Sequence, residues 1–345
     1  MIVPGYSTRL RKRLSSKGHL HQICQTPQIF VPSPVNLHTM KFDLQDSTTV
    51  TWLIVLIIVL LAVGYSVVAI NNKPPQMAFT PVSDYTFPYK LDDIDWRVEL
   101  SPALKEISGI TSLNEEQVMA IQDEKGILFS IDLRTGNTIS ESTFDKDRDY
   151  EDLCLVGDHV FILERDGDLY QYHLASPDTT QKFETAFSYR NDTEGLCFDA
   201  KHNRLLIAPK EGAPEGRELP KHVLGIYEFN LLTKTVNLDP ITTIAEKEVG
   251  RIIGQQGKAY KFKPSAVAIH PRTGYLYVLA SVGKILLVVN PNDNRIMHIQ
   301  LLDPNVFPHP EGMAFDGSEN LLISSEGLSG QAGTITRFGP ISQSN

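Results

Sequence analysis

A short phrase returns five times along the chain, and it narrows the fold more than any other feature. Ser108-Gly-Ile-Thr-Ser, Glu151-Asp-Leu-Cys-Leu, Glu194-Gly-Leu-Cys-Phe, Ser265-Ala-Val-Ala-Ile and Glu311-Gly-Met-Ala-Phe lie over one another, their first residues 43, 43, 71 and 46 positions apart. Each is followed by a turn and a second apolar run, at 118–121, 160–163, 205–208, 276–279 and 321–324. A third run comes after Gly or a polar turn, at 127–133, 169–174, 224–230, 285–290 and 334–338. Short β-rich runs between Asp-Gly, Thr-Gly and Asn-Asp turns are hairpin signals. A unit of this size cannot bury both faces of its own small sheet, whereas units stacked around an axis bury each other's. A β-sandwich also uses short strands but has no need of such self-similarity.

The reading is therefore all-β, a five-bladed β-propeller over residues 90–345. A six-bladed ring is the alternative, with a degenerate blade drawn from 241–263. The 71-residue interval is explained by two insertions in the third unit, a loop at 209–222 and the partly helical stretch 241–263. The last unit has room for three strands only. The alternating segment IDWRVEL at 94–100 supplies its fourth, which removes two exposed sheet edges.

Ahead of the repeats, residues 52–70 run WLIVLIIVLLAVGYSVVAI, 19 positions without a charge. As a helix this run is about 28 Å long, against a hydrocarbon core of roughly 30 Å. A buried core helix would show a polar face, and none is visible. A cleaved secretory signal competes, with Val67-Val68-Ala69 as the processing site, but the run exceeds the usual signal core of about 7–15 residues. The expected organisation is a disordered cytoplasmic tail at 1–49, a transmembrane helix at 50–70, a Pro- and Asn-rich linker at 71–89, then the propeller. Arg9, Arg11, Lys12, Arg13, Lys17 and Lys41 precede the span and Lys73 follows it, so the N-terminus stays inside and the propeller is exported. The compact start at Met40, MKFDLQDSTTVTW, reads as an alternative beginning of translation.

Residues 71–345 carry 26 Lys and Arg against 39 Asp and Glu. That excludes nucleic acid as a partner, since phosphates need cations, and leaves room for bound cations. Only Cys24, Cys154 and Cys197 are present, too few for a disulfide framework. Cys154 and Cys197 hold the same position in adjacent repeats, and one blade of separation exceeds the roughly 7 Å Cα limit of a disulfide.

The start of each phrase, read with the residue two before it, gives Glu106/Ser108, Asp149/Glu151, Asp192/Glu194, Lys263/Ser265 and His309/Glu311. In a propeller these first strands line the central channel, so the column becomes a ring. Carboxylates crowded in such a channel either take up protons or are neutralised by a cation. Ca²⁺ suits them, with its appetite for about 6–8 oxygen ligands. The candidate metal residues are Glu106, Asp149, Glu151, Asp192, Glu194 and Glu311. Ser108, Lys263, Ser265 and His309 line the channel beside them. Two other readings stay open: strand-end caps bonding to backbone N–H groups, and a catalytic acid–base pair. A second charged set, Asp123, Glu124, Glu164, Asp166, Lys210, Glu211 and Glu326, reads as a solvated face. There is no Gly-rich phosphate loop, GxSxG elbow or HExxH, and His309 has no Ser partner, so no catalytic residue is assigned.

The phrases Glu106-Ile-Ser-Gly-Ile, Asp149-Tyr-Glu-Asp-Leu, Asp192-Thr-Glu-Gly-Leu, Lys263-Pro-Ser-Ala-Val and His309-Pro-Glu-Gly-Met resemble those of the SdiA-regulated family of bacterial envelope proteins. The resemblance covers about residues 90–340 and extends to the N-terminal anchor. It implies a five-bladed propeller, distantly related to NHL-repeat and phytase-like propellers, with a calcium site and no established reaction. Placing that calcium on the Glu column rests on the residues alone. The expectation is a single-pass protein of the inner membrane whose periplasmic propeller binds Ca²⁺ and a small ligand or envelope protein. A Ca²⁺-assisted hydrolase of phosphoesters or lactones, and a structural scaffold, are the alternatives.

Overall fold

The structure is a computed structural model and describes residues 50–51, 53–61, 85–176, 179–255, 258–328 and 330–341. The chain divides into two compact units, 1–72 and 73–345. In the first, residues 50–51 and 53–61 are helical, and the apolar side chains from Ile54 to Leu61 are all exposed. Among the described residues no helix is long and apolar enough to cross a membrane. The tail 1–49, the remainder of the expected span at 62–70 and most of the linker, 71–84, lie outside the described residues.

The second unit is a five-bladed β-propeller. Its first strand, β1 (Trp96–Glu99), belongs to the last blade. Blade one is β2 (Ile107–Ser112), β3 (Gln117–Gln122), β4 (Ile127–Asp132) and β5 (Thr138–Thr143). Blade two is β6 (Tyr150–Val156), β7 (His159–Glu164), β8 (Leu169–His173) and β9 (Gln181–Phe183). Blade three is β10 (Thr193–Asp199), β11 (Arg204–Pro209), β12 (Val223–Asn230) and β13 (Thr235–Val236). It also holds β14 (Thr242–Ala245), which pairs with β12 and leads into a short helix, Glu246–Ile252. Residues 241–263 thus elaborate blade three, and the six-bladed alternative is wrong: the segment holds one short strand and a helix, too little for a sheet of its own. Blade four is β15 (Lys263–Ile269), β16 (Leu276–Val282), β17 (Ile285–Asn290) and β18 (Arg295–Leu301). Blade five is β19 (Pro310–Phe315), β20 (Leu321–Ser325) and β21 (Thr334–Phe338), completed by β1.

Every pairing is antiparallel, and the inner strands β2, β6, β10, β15 and β19 touch in turn until β19 meets β2. The splice pairs Trp96 with Arg337 through Glu99 with Thr334, and Leu100 N–H donates to Gly333 O at 2.8 Å. Apolar side chains fill the gaps between blades; Ile162, Leu206, Val278 and Ile323 are fully buried, each contributing about 1.5–3 kcal/mol. A strap at 85–91 packs Phe87, Tyr89 and Leu91 into the core shared by blades four and five. Phe87 stacks on His298 at 4.3 Å, and Tyr89 donates its hydroxyl hydrogen to Glu319 O at 2.7 Å.

The glycine of the phrase has a steric cause. A Cβ on Gly109 would stand 2.6 Å from Asp152 Cα, and one on Gly312 would stand 2.7 Å from Ser108 O and 2.9 Å from Ile110 N. Neighbouring inner strands approach too closely for a side chain there. Where blade two carries Asp152 instead, its buried carboxylate accepts from the Leu153 N–H at 2.8 Å and the Leu196 N–H at 2.7 Å.

Candidate functional site

In all five blades the ladder between first and second strands is interrupted where the phrase begins: between Ile107 and Ile110, Tyr150 and Asp152, Thr193 and Gly195, Pro264 and Ala266, and Pro310 and Met313. Such a bulge releases one residue from the pairing and re-aims its side chain. The released positions include Ser108, Glu151, Glu194, Ser265 and Glu311. Four of these, all but Ser265, line one cavity of about 220 Å³ at the end of the channel where the inner strands begin.

That cavity also holds Asp149 and Asp192 from just before the phrases, and Asp123, Arg165, Lys210 and Glu326 from the ends of second strands. Seven carboxylates therefore face two cations, and both cations are committed. Arg165 donates to Asp192 at 2.6 Å and to Asp149 at 3.1 Å, and the Lys210 ammonium lies 2.5 Å from Glu194. Among the described residues the Glu151 and Glu311 side chains make no hydrogen bond or ion pair. The Ser108 side-chain oxygen, on a residue only 5% exposed, also lacks a partner, as does one oxygen of Asp123.

Burial in this setting disfavours charge. It raises Glu151, with the Glu194 charge adding to the effect, and pushes Glu311 up to about 8 with the same neighbour's help. Asp123 rises to about 6 through burial and then the charge of Glu106. Glu326 moves upward for the same two reasons. Glu194 is raised by burial in spite of Lys210.

Of the column predicted from the repeats, Ser108, Asp149, Glu151, Asp192, Glu194 and Glu311 come together. The other four do not line the cavity, though His309 stands at its edge. Glu106 is half-exposed and pairs with Lys105 at 3.5 Å. Lys263 is drawn to Glu211 at 2.5 Å and to Lys210 O at 2.9 Å. Ser265 is buried and donates to Pro310 O at 2.7 Å, a bond between blades four and five. His309 stands half-exposed with Nδ1 3.7 Å from Glu326, and one ligating atom each of His309, Glu311 and Glu326 lie within 4.8 Å of one another. Burial and then Lys284 lower the His309 pKa, which favours the neutral ring.

The second charged set corrects the sequence reading. Asp123, Lys210 and Glu326 are walls of the same cavity and not a solvated face. The signal was available: each stands two residues beyond the second apolar run, as Arg165 does, and so forms a column of its own. Glu164 turns away to Arg148, Lys182 and Tyr170, and Asp166 accepts from the Asp168 N–H.

The opposite end of the channel differs in kind. A cavity of about 410 Å³ is lined there by Leu155, Phe198, Ile269 and Phe315, which share one repeat position, and by Cys154 and Cys197. Both thiols are free and buried, and burial raises their pKa values well above the usual range.

No curated protein matches the chain by sequence. Its course is similar to that of several solved structures. Glutaminyl cyclase of Myxococcus xanthus is 12% identical, with 72% of this chain and 97% of that one covered at a TM-score of 0.48. The PQQ-bound aldose sugar dehydrogenase of Streptomyces coelicolor is 10% identical, with 72% and 97% covered at 0.44. A streptogramin B lyase is 12% identical, with 71% and 97% covered at 0.41. Likenesses this distant carry nothing about activity. The profile of the SdiA-regulated family matches residues 88–327, a stretch that contains all five phrases, both strand-end columns and the cavity they build. The chain belongs to the SdiA-regulated family.

Proposed function

We propose that the propeller binds a hard divalent cation, Ca²⁺ before others, at the acidic end of its channel and offers the loaded mouth to an anionic ligand or protein partner. One observation carries the reading. In ring order β19, β2, β6, the partnerless Ser108 side-chain oxygen stands between Glu311 and Glu151, two half-buried carboxylates that make no ion pair. Asp123 and Glu326, from the second strands of blades one and five, border the same half of the cavity. Lys210 already neutralises the other half at Glu194. The donors are all oxygens, which suits Ca²⁺ with water in the remaining positions. A cation there would hold the carboxylates ionised where burial otherwise protonates them. It would also present positive charge at a mouth that is otherwise acidic.

The test is a thermal melt of the full-length protein, stripped with EDTA and then returned to Ca²⁺ or Mg²⁺. A cation at a thousandfold excess over Kd adds about 4 kcal/mol. The expected result is a rise of several degrees with Ca²⁺, little with Mg²⁺, and none in the double variant Glu151→Gln/Glu311→Gln. An undiminished rise in that variant would remove the assignment.

His309 favours a second reading, in which the loaded mouth hydrolyses a phosphoester or lactone. A neutral imidazole beside Glu311 and Glu326 is in the right state for a general base, and the cation would polarise the substrate. Turnover on such panels that depends on Ca²⁺ and is lost in His309→Gln supports this enzyme. Unchanged stability in every cation, with no turnover, leaves a structural scaffold.

The same proposal places the propeller in the periplasm, tethered to the inner membrane by residues 50–70. Its support is the helix at 53–61 with eight consecutive exposed apolar side chains and the basic flank before it. Retention in the membrane pellet after an alkaline carbonate wash is the expected behaviour, and complete release would overturn the tether.

A further inference from the structure

We propose that Asp158, His159 and His173, at the far end of blade two from the acidic cavity, form a separate site for a borderline transition-metal ion such as Zn²⁺ or Cu²⁺.

The site is built by a hairpin. β6 ends at Val156, Gly157 turns with φ +63°, and Asp158 precedes β7, which opens on His159. β8 closes on His173, and the register makes His159 and His173 direct cross-strand partners. Their rings meet edge to face, 4.6 Å between centroids. Asp158 reaches both: one carboxylate oxygen is 2.7 Å from His159 Nδ1 and the other 3.1 Å from His173 Nε2. Leu174 N–H donates to Asp158 O at 3.0 Å, which ties the end of β8 to the turn. One ligating atom from each of the three side chains lies within 4.8 Å of the others. All three remain open to solvent, with side-chain exposures of 66%, 31% and 27%.

The donor chemistry decides the ion. Two imidazole nitrogens and one carboxylate oxygen suit Zn²⁺, Cu²⁺ and Ni²⁺, whereas Ca²⁺ prefers an all-oxygen shell such as the acidic cavity. A fourth position faces water, where solvent or a donor from another molecule would complete the shell. Binding asks for a proton shift at each ring: His159 Nδ1, 2.7 Å from the Asp158 carboxylate, carries a proton that moves to Nε2 when Nδ1 takes the metal. Ala175 N–H donates to His173 Nδ1 at 3.1 Å, so Nε2 carries the ring proton when no metal is bound. Ligation through Nε2 moves that proton to Nδ1 and releases the exposed Ala175 N–H to water. The seven residues of β6 separate this site from Glu151's end of the blade by about 20 Å, so the two cation sites are independent.

The experiment titrates Zn²⁺ into metal-stripped, untagged full-length protein against a chromophoric chelator. Cu²⁺ EPR reports nitrogen coupling in parallel, and circular dichroism verifies folding. One equivalent of Zn²⁺ is expected to bind unaffected by excess Ca²⁺. His159→Gln and His173→Gln should each weaken it at least about tenfold and remove one nitrogen from the Cu²⁺ spectrum. Glu151→Gln/Glu311→Gln should leave it unchanged. Zn²⁺ binding that survives loss of both histidines, or that disappears with Glu151 and Glu311, overturns the proposal. So does the absence of binding in the unmodified, folded protein.

Discussion

The two ends of the channel are made by the same five strands, yet they solve opposite problems. Where the strands begin, bulges turn Ser108, Glu151, Glu194 and Glu311 into a small cavity whose charges are only partly answered. Where they end, Leu155, Phe198, Ile269 and Phe315 border a wider cavity with little charge to answer. The apolar end is stable as it stands, because water and apolar surface coexist at modest cost. The acidic end carries buried groups that ask for protons, a lysine or a metal. In a repeat protein the conserved geometry of the blade therefore says little about function. The information lies in where the equivalent positions stop being equivalent, as Ser108, Ser265 and Lys210 do.

That comparison can be broken at several points. The largest effect is expected where both ends depend on one close approach. Gly109→Val drives a side chain into Asp152 and should cost more than about 4 kcal/mol, seen as loss of the cooperative urea transition. Gly317→Ala, at the apolar end with no atom within 4 Å of its added carbon, should be nearly silent in the same assay. A small effect at Gly109 would mean that the inner strands are not held at this spacing.

Next comes the ammonium of the acidic end. Lys210→Met leaves Glu194 buried without its partner and should cost about 3–5 kcal/mol in EDTA, with part of the loss restored by Ca²⁺. A loss that Ca²⁺ does not touch would place Lys210 outside the cation's electrostatics.

The third effect is pH dependence. Glu311 rises from 4.5 to about 8 and Asp123 from 3.8 to about 6 on folding, so the folded chain holds protons that the unfolded chain has released. Stability then falls as pH rises through that interval. In EDTA the melting temperature should drop from pH 5 to pH 8 by several degrees, and vary less in Glu311→Gln. Ca²⁺ should remove most of the slope. A slope left unchanged by Glu311→Gln would contradict the raised state of that acid, because the histidines whose pKa values burial lowers contribute equally to both proteins.

The smallest change is at the other end. Leu155→Ala removes a half-exposed side chain and should cost about 1 kcal/mol, with the pH profile and the Ca²⁺ response intact. If it altered either, the two ends would be coupled.

Much of this was legible in the sequence because a propeller writes its symmetry in the chain. The spacing of the phrases located all five inner strands, and 94–100 was readable as the splice because an alternating segment stood before the first repeat with no partner nearby. The helix within 241–263 was visible too, though its attachment to blade three through β14 was not, since that pairing joins β14 to the far side of β12. The site was legible as one column and missed as a second. Asp123, Lys210 and Glu326 sit in loops of mixed charge, and only ring closure brings those loops over one cavity. Glu106 and Lys263 were over-read for the complementary reason. Position in a repeat fixes where the backbone passes, but a long charged side chain follows the nearest counter-charge, here Lys105 and Glu211.

The clasp between β1 and β21 has a mechanical side. Tension applied at residue 85 passes to the rings of the strap, then to the four residue pairs that join Trp96–Glu99 to residues 334–337. Blades one to four lie beyond that junction, each drawn from a continuous stretch of sequence. A pull on the N-terminal side therefore loads a seam that links opposite ends of the domain. Opening it would free β1 from blade five while blades one to four still held their own strands.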